Sequence, residues 1–514
     1  MLIGLDIGTS STKGVLIDDR GEMLASFTSE YRIDQPRVGW TEQDPAVWWN
    51  ACVEVFRALA GRAGERSKIR AVGLSGQMHG SVFLDRAAVE GAGRGPVRAV
   101  RPALLWNDQR TAAQCAAIEE AMGGREALVR AVGNAALTGF TLPKLLWLRD
   151  HEPEHFARTA LLLNPKDFAR LCLTGEPAAD VGDGAGTLLL DPTTRTWNDA
   201  VFARLNLDRS LVPERVLESA AVAGRVTAWA AAETGLPEGI PVVAGSGDNQ
   251  CGAVGAGVVT SGMVLATLGT SGVIYAHADE PRRDLGGEEG GAAGRVHTMC
   301  AADGRDGAAG RWSITGVMLS AAGALHWARD TIAPGADFAE LMREAEGIEP
   351  GCEGLVFLPY LTGERCPFPD PTARGAWIGL SSRHTRGHLI RAVLEGVTAN
   401  MGIILGIVEA LPVRVEKVRL GGGGNRSRLW RQMQADVYGK PVATLNAEEG
   451  PAFGAALLAG VGAGAWASVP EACAATIRET ETIDPGPEAG RYASVRAGLA
   501  ELYATLAPAF RRTA

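Results

Sequence analysis

Apolar and polar residues alternate from the start of the chain, and the period changes wherever the chain turns. Residues 2–7 read as a strand, 8–13 as a turn, 14–17 as a strand, 18–21 as a turn and 22–28 as a third strand, predicting an antiparallel meander. Asp44 and Pro45 then offer an N-cap and a first-turn proline for a helix to about residue 59, with Trp48, Val55 and Leu59 facing inward. A strand at 69–74, another at 103–106 ahead of a helix at 111–121, and a helix-rich stretch over 142–173 continue a mixed α/β pattern. Two glycine-rich tracts, 86–95 and 284–294, interrupt it and read as surface loops. Near the end, Val495, Leu499, Leu502 and Leu506 share one face of a helix within 485–512.

Compared with itself, the chain shows an echo. Strand, Gly8-Thr9-Ser10, strand at the start is repeated by strand, Gly269-Thr270-Ser271, strand about 260 residues later. Two similarly built lobes follow, with a boundary near Gly245 and a ligand cleft between them; the alternative is two unrelated Gly-Thr-Ser hairpins. Residues 249–278 hold no Asp, Glu, Lys or Arg, a run long enough to span a bilayer, but six glycines interrupt it. It reads as helix, turn, strand, turn, strand.

Composition narrows the partners. Glycine is the outlier, 66 of 514 residues, about twice the usual share, and points to tight turns and close backbone approach to a ligand. A net charge of −9 disfavours a nucleic acid held by a general electrostatic footprint, so a small-molecule partner is expected. Eight cysteines never come closer than 14 positions, which excludes CxxC zinc or redox pairs; with an N-terminus unlike an export signal, a cytoplasmic setting without membrane attachment is expected.

The candidate chemistry sits where strands run into glycine-rich turns. No Walker loop and no GxGxxG is present, and His151-Glu152-Pro153-Glu154-His155 matches HExxH only in letters, because Pro153 breaks the required helix. Asp6 ends a buried strand ahead of a turn rich in N–H groups and hydroxyls. Its carboxylate can hold Mg²⁺ through water while Thr9, Thr12 and Lys13 meet phosphate oxygens; the alternative is an ordinary hairpin. Asp248 follows an apolar strand and a Gly-Ser-Gly turn at the proposed junction, with Asn249 beside it. Such a carboxylate can orient a hydroxyl and accept its proton late in phosphoryl transfer, or it can simply cap a helix. The run 421–424 and Asn425, between a strand and a helix, let a base or phosphate lie against the backbone, unless they form only a flexible loop. Gln77-Met78-His79 and Trp106-Asn107-Asp108 supply amide, imidazole and carboxylate groups suited to sugar hydroxyls, or a satisfied loop histidine and a helix N-cap.

Together these segments, with Gly39-Trp40-Thr41-Glu42, Pro165-Lys166-Asp167-Phe168 and Leu173-Thr174-Gly175-Glu176, resemble the FGGY carbohydrate kinases, within the actin-like ATPase superfamily, over nearly the whole chain. The resemblance implies an α/β fold of two actin-like (ribonuclease H-like) ATPase domains, a sugar-binding one over 1–245 and a nucleotide-binding one over 246–514, closing on ATP, Mg²⁺ and a ketose. It implies Asp248 as the proton acceptor and, with Asp6, as a group managing the metal through water. Gln77, Met78, His79, Asn107, Asp108 and Asn249 would face the sugar, and Thr9, Thr12, Lys13, Thr270, Gly422, Gly423 and Asn425 the nucleotide. The expected reaction is phosphorylation of D-xylulose. Rival readings are a kinase for ribulose, gluconate or glycerol, and a non-catalytic nucleotide-gated actin-like protein. A homodimer is the expected assembly.

Overall fold

The alternation at the start of the chain folds as the meander it predicts. β1 (Leu2–Ile7), β2 (Ser11–Ile17) and β3 (Met23–Glu30) pair antiparallel, with Leu2 opposite Ile17 and Ser11 opposite Glu30. The computed structural model describes residues 1–286, 292–446 and 450–513. β4 (Ala71–Gly76) lies parallel to β1; β5 (Val222–Arg225) and β6 (Pro241–Val243) extend the sheet, and the short β7 (Ser246–Gly247) pairs with the end of β4. The order is β5-β6-β4-β1-β2-β3.

The second sheet comprises β8 (Gly262–Leu268), β9 (Gly272–Ala278), β10 (His297–Cys300), β11 (Trp312–Met318), β12 (Val415–Gly421), β13 (Val442–Leu445) and β14 (Glu479–Ile483). Its order, β14-β13-β12-β8-β9-β11-β10, matches the first sheet strand for strand from β14 to β11, including which neighbours run parallel. The Gly-Thr-Ser echo therefore marks two equivalently built actin-like lobes, and the charge-free run is a helix followed by β8 and β9.

Helices cover both sheets. α1 (Pro45–Arg62) starts as expected, with the Asp44 carboxylate accepting the Ala46 N–H, and it buries Trp48, Val55 and Leu59 against the first sheet. The other helices used below are α2 (Pro165–Thr174), α3 (Val181–Ala185), α4 (Asp248–Gly255), α5 (Ala322–Ile332), α6 (Arg386–Ala410), α7 (Arg428–Tyr438), α8 (Gly450–Gly462) and α9 (Ala489–Thr513). α9 packs on α6 through Leu499, flanked by Val495, Leu502 and Leu506. α6 is long and apolar enough to cross a membrane, but it is largely buried in the second lobe.

α8 departs from a simple division of the chain into halves, because it lies on the first sheet. A Cβ at Gly4 would come within 2.0 Å of the Ala452 carbonyl, and one at Gly73 within 1.9 Å of the Ala455 carbonyl, so β1 and β4 are bare where the helix crosses. α4 packs equally closely on α8, the Cβ position of Gly454 lying 1.9 Å from the Cys251 carbonyl. Asp248 is thus anchored on a helix from the C-terminal half of the chain that itself packs on the first sheet.

One loop expectation is corrected and the other falls partly outside the described residues. Residues 86–91 of the tract 86–95 form a helix, because Asp85 caps it by accepting the Ala88 N–H at 2.9 Å. In the tract 284–294, Asp284 is buried in a two-point pair with Arg295, so the ends are pinned; 287–291 lie outside the described residues. The expected strand over 103–106 shrinks to Ala103–Leu104, paired with Glu42–Gln43. Pro153 does divide the histidine motif, ending one helix at His151 and opening another.

Candidate active site

Three parallel strands end side by side in the first lobe: β1, β4 and β7. The register sets Asp6, Ser75 and Ser246 in one row across them. With about 4.8 Å between neighbouring strands, Asp6 and the strand leading into Asp248 are separated only by the width of β4. Ligands gather at the carboxyl ends of strands in open α/β sheets, where side chains and backbone N–H groups face a crevice. Both predicted carboxylates stand there.

Their electrostatics show that they sense each other. Asp248 is pushed up to about 7, first by desolvation and then by the negative charge of Asp6, against the Asn249 N–H that donates to its Oδ1 at 2.7 Å. Asp6 is raised to about 6 by desolvation, moderated by the Ser75 hydroxyl donating at 3.0 Å and by the charge of Lys13. Lys13 sits directly opposite Asp6 in the β1–β2 ladder. Two carboxylates held close in a dry site repel one another, and a divalent cation relieves that repulsion. The donor set fits Mg²⁺.

Around this pair the sugar-facing candidates divide. His79 takes a left-handed backbone (φ 67°), stacks on Phe140 with ring centroids 4.2 Å apart, and sets Nδ1 2.8 Å from the Gly186 carbonyl. Burial, reinforced by Lys144, holds its pKa well below the usual histidine value. The ring is therefore neutral, Nδ1–H donates, and Nε2 is left as an acceptor. Lys144 and Thr141 fix the backbone by donating to the His79 carbonyl. Met78 is buried under the start of α4, its sulfur 3.8 Å from the Asn249 amide nitrogen. Gln77 donates its side-chain amide to the Gly8 carbonyl, and its buried Oε1 has no partner among the described residues.

Asn107 and Asp108 both bond to Thr41. Asp108 is fully buried and spends its carboxylate on a bidentate pair with Arg110 and on the Thr41 N–H, so it braces the loop and presents no free oxygen to a ligand. Asn107 Oδ1 accepts the Thr41 hydroxyl. Thr9 accepts the Trp106 indole N–H at 2.9 Å, which ties the first turn to this loop. Thr12 is fully buried, its hydroxyl 3.2 Å from that of Tyr31, which in turn donates to the Gly8 carbonyl. It stiffens the hairpin from behind and does not face phosphate.

The nucleotide candidates of the second lobe occupy the corresponding strand ends. Thr267 on β8 lies beside Gly421 on β12, and the turns that follow carry Thr270 and 422–425. The Thr270 carbonyl accepts the Ala321 and Gly323 N–H groups, fastening its turn to the start of α5. Gly422 has φ 84°, and a Cβ there would stand 2.5 Å from the Leu268 carbonyl, so only glycine fits. No atom comes within 4 Å of a Cβ built on Gly423, which leaves an open ledge. Asn425 turns inward, donating to the Gly421 carbonyl and accepting from Gln434 at 2.7 Å, so its amide shapes the loop. Sequence reasoning missed Ser75, Ser246, Lys144 and Gly186, whose partners lie far away along the chain.

Comparison with known proteins places this frame. Residues 1–255 match the N-terminal domain, and 264–463 the C-terminal domain, of the FGGY family of carbohydrate kinases. The chain is 37% identical to the xylulose kinase of Bacillus subtilis over 94% of its length and 92% of that protein, and 37% identical to the xylulose kinase of Escherichia coli over 99% of both. The crystal structure of xylulose kinase from Rhodospirillum rubrum superposes with a TM-score of 0.88 at 32% identity, covering 99% of each chain. With both of its domains matched, the chain belongs to the FGGY family of carbohydrate kinases.

Proposed function

We propose that this carbohydrate kinase transfers the γ-phosphoryl group of ATP to the terminal hydroxyl of D-xylulose, giving D-xylulose 5-phosphate. The observation that carries the reading is the convergence of Asp6 and Asp248 at parallel strand ends on either side of β4, with Asp248 raised to about 7 and Asn249 and Met78 beside it. Relatives at 37% identity that are xylulose kinases support the choice of sugar.

Asp248 orients the attacking hydroxyl and accepts its proton as the O–P bond forms; a carboxylate with a pKa near 7 is matched to that task at neutral pH. Neutral His79 offers Nε2 as an acceptor to a sugar hydroxyl, and the Asn249 amide supplies a second polar group. Asp6 and Asp248 would hold magnesium through water, and the ion, when bound, neutralises charge on the transferring phosphoryl group. Lys13 and the Gly8 turn face the phosphates from the first lobe, while Gly422, Gly423 and the Thr270 turn form the ledge for the nucleotide from the second. Thr12, Asp108 and Asn425 shape the walls behind these groups.

A coupled assay of ATP consumption across xylulose, ribulose, glycerol and gluconate tests the assignment. Xylulose should give the highest kcat/KM; a higher value for any of the others would replace it.

A further inference from the structure

The Pro165-Lys166-Asp167-Phe168 segment takes no part in the chemistry above, yet its charges are directed at the strand that leads into Asp248. Lys166, Asp167 and Arg170 on α2 are each no more than 4% exposed, and so are Asp180 and Asp183 beside them. Lys166 Nζ lies 2.5 Å from Asp167 Oδ1, 2.6 Å from Asp180 Oδ1 and 3.7 Å from Asp183 Oδ2, and Arg170 reaches Asp167 Oδ1 at 2.8 Å. The three carboxylates are close enough to hold a metal ion, but the Lys166 ammonium already stands among them. It is an internal ion cluster, and such clusters add little stability over a well-packed apolar core, so its geometry is the better clue to its use.

That geometry leads to the active site at two points. Arg170 Nη1 donates to the Ala244 carbonyl at 2.6 Å, holding the chain just ahead of β7. Asp180 Oδ2 accepts the Ser246 hydroxyl at 2.8 Å, two residues before Asp248, while also accepting the Gly182 N–H at the start of α3. α3 can come this close only because Gly182 is bare: a Cβ there would stand 2.2 Å from Ser246 Oγ. α3 then runs on to Gly186, whose carbonyl orients His79. One buried cluster thus braces the strand before the base and the loop beneath the sugar-facing histidine.

We propose that Asp180, held by Lys166, is a positioning residue that acts through Ser246 to set where the Asp248 carboxylate meets the sugar hydroxyl. The inference rests on the reading of Asp248 as proton acceptor. A carboxylate displaced by about 1 Å loses up to about a hundredfold in rate, and the Ser246 tether lies two residues from it.

The test uses Ser246→Ala, which removes the tether and leaves the ions intact, together with Asp180→Asn and the double variant, in the full chain. The readout is the rate constant of a single turnover at saturating ATP and xylulose, which does not depend on the fraction of active enzyme, with melting curves to verify folding. Each single variant should slow the step by about tenfold or more while KM for ATP stays within about twofold, and the double variant should be no slower than the slower single. If Ser246→Ala does not fold, Asp180→Asn gives the same reading. A folded variant with the wild-type rate constant, or effects that multiply in the double, would overturn the proposal. Asp248→Asn separates the two layers: if it is slow while Ser246→Ala is normal, only the positioning role fails; if it turns over normally, the reading of Asp248 itself fails.

Discussion

Asp248→Asn should inactivate the enzyme and stabilise it, by an amount that grows as pH rises from about 4 to 7. The carboxyl group is raised from 3.8 to about 7 by desolvation and by Asp6, so the folded chain holds a proton there that the unfolded chain releases. The stability associated with that proton is complete below about pH 4 and is lost as pH rises through about 7, because the unfolded state binds fewer protons over that window. A difference of about 3 units corresponds to a ceiling of ~4 kcal/mol, reduced by the partial exposure of the group and by its coupling to Asp6. Asparagine keeps an oxygen for the Asn249 N–H, at 2.7 Å in the native chain, and carries no charge to desolvate. Melting temperature measured at pH 4 and pH 8 should therefore rise by several degrees at pH 8 and much less at pH 4, at about 2–4 °C per kcal/mol for lobes of this size. Turnover should fall by about 10²–10⁴, the usual contribution of a positioned base. A variant that is no more stable at pH 8, or that keeps more than about a tenth of wild-type kcat, would refute the account of Asp248 as a desolvated base.

Other consequences follow from the same geometry. In the wild type, kcat/KM for xylulose should fall about tenfold per pH unit below 7 as Asp248 takes up its proton, steepening below 6 as Asp6 follows; a flat profile from pH 8 to 5.5 would remove both assignments. Gly186→Ala places a Cβ 2.8 Å from His79 Cε1, so KM for xylulose should rise by about tenfold while KM for ATP stays put, and equal changes in both would contradict the role of His79. Gly422→Ala must fit a φ of 84° and a carbonyl 2.5 Å from the new Cβ; ATP affinity measured by calorimetry should drop by about tenfold, with a loss of roughly 1–3 kcal/mol in stability. Thr12→Val removes the contact to Tyr31, costing about 1 kcal/mol on unfolding, and should leave KM for ATP within about twofold; a larger change would return Thr12 to the phosphate site.

Much of this site was legible because its signals are local. The alternation over 2–28 fixes which residues end β1, and an acid before a glycine turn is visible without knowing what packs against it. The Asp44-Pro45 start and the terminal apolar stripe are equally self-contained. The errors arise where a face or a distant partner decides. Thr12 and Lys13 are neighbours on one strand, so they point to opposite sides of the sheet; once Lys13 lies opposite Asp6, Thr12 must turn toward α1. Asp108 looks like a sugar ligand or an N-cap in the sequence because nothing in its spacing shows that Arg110 folds back on it while Thr41, 67 residues away, supplies an N–H. The helix at 86–91 is hidden in the sequence because the glycine content of the tract masks the capping carboxylate of Asp85.

The two sheets share one plan, and their differences explain the division of labour between lobes. On β1 the residue before the last carries a carboxylate, Asp6, facing Lys13 across the hairpin and Ser75 on the parallel neighbour. The corresponding place on β8 is Thr267, which faces Val273 and Gly421. A carboxylate there would set a negative charge beside the ledge proposed for a polyanionic nucleotide, at a cost that grows as the cleft excludes water. Neutral threonine and bare glycine remove that repulsion and let the nucleotide approach the backbone. On the proposed reading the first lobe gathers its acids where a cation and an alcohol would meet, and the second keeps the same turn free of charge. On that reading, two copies of one strand-turn-strand unit form the two walls of the kinase cleft, and the side chain at the equivalent position, Asp6 or Thr267, suits one wall to the metal and the proton and the other to the nucleotide.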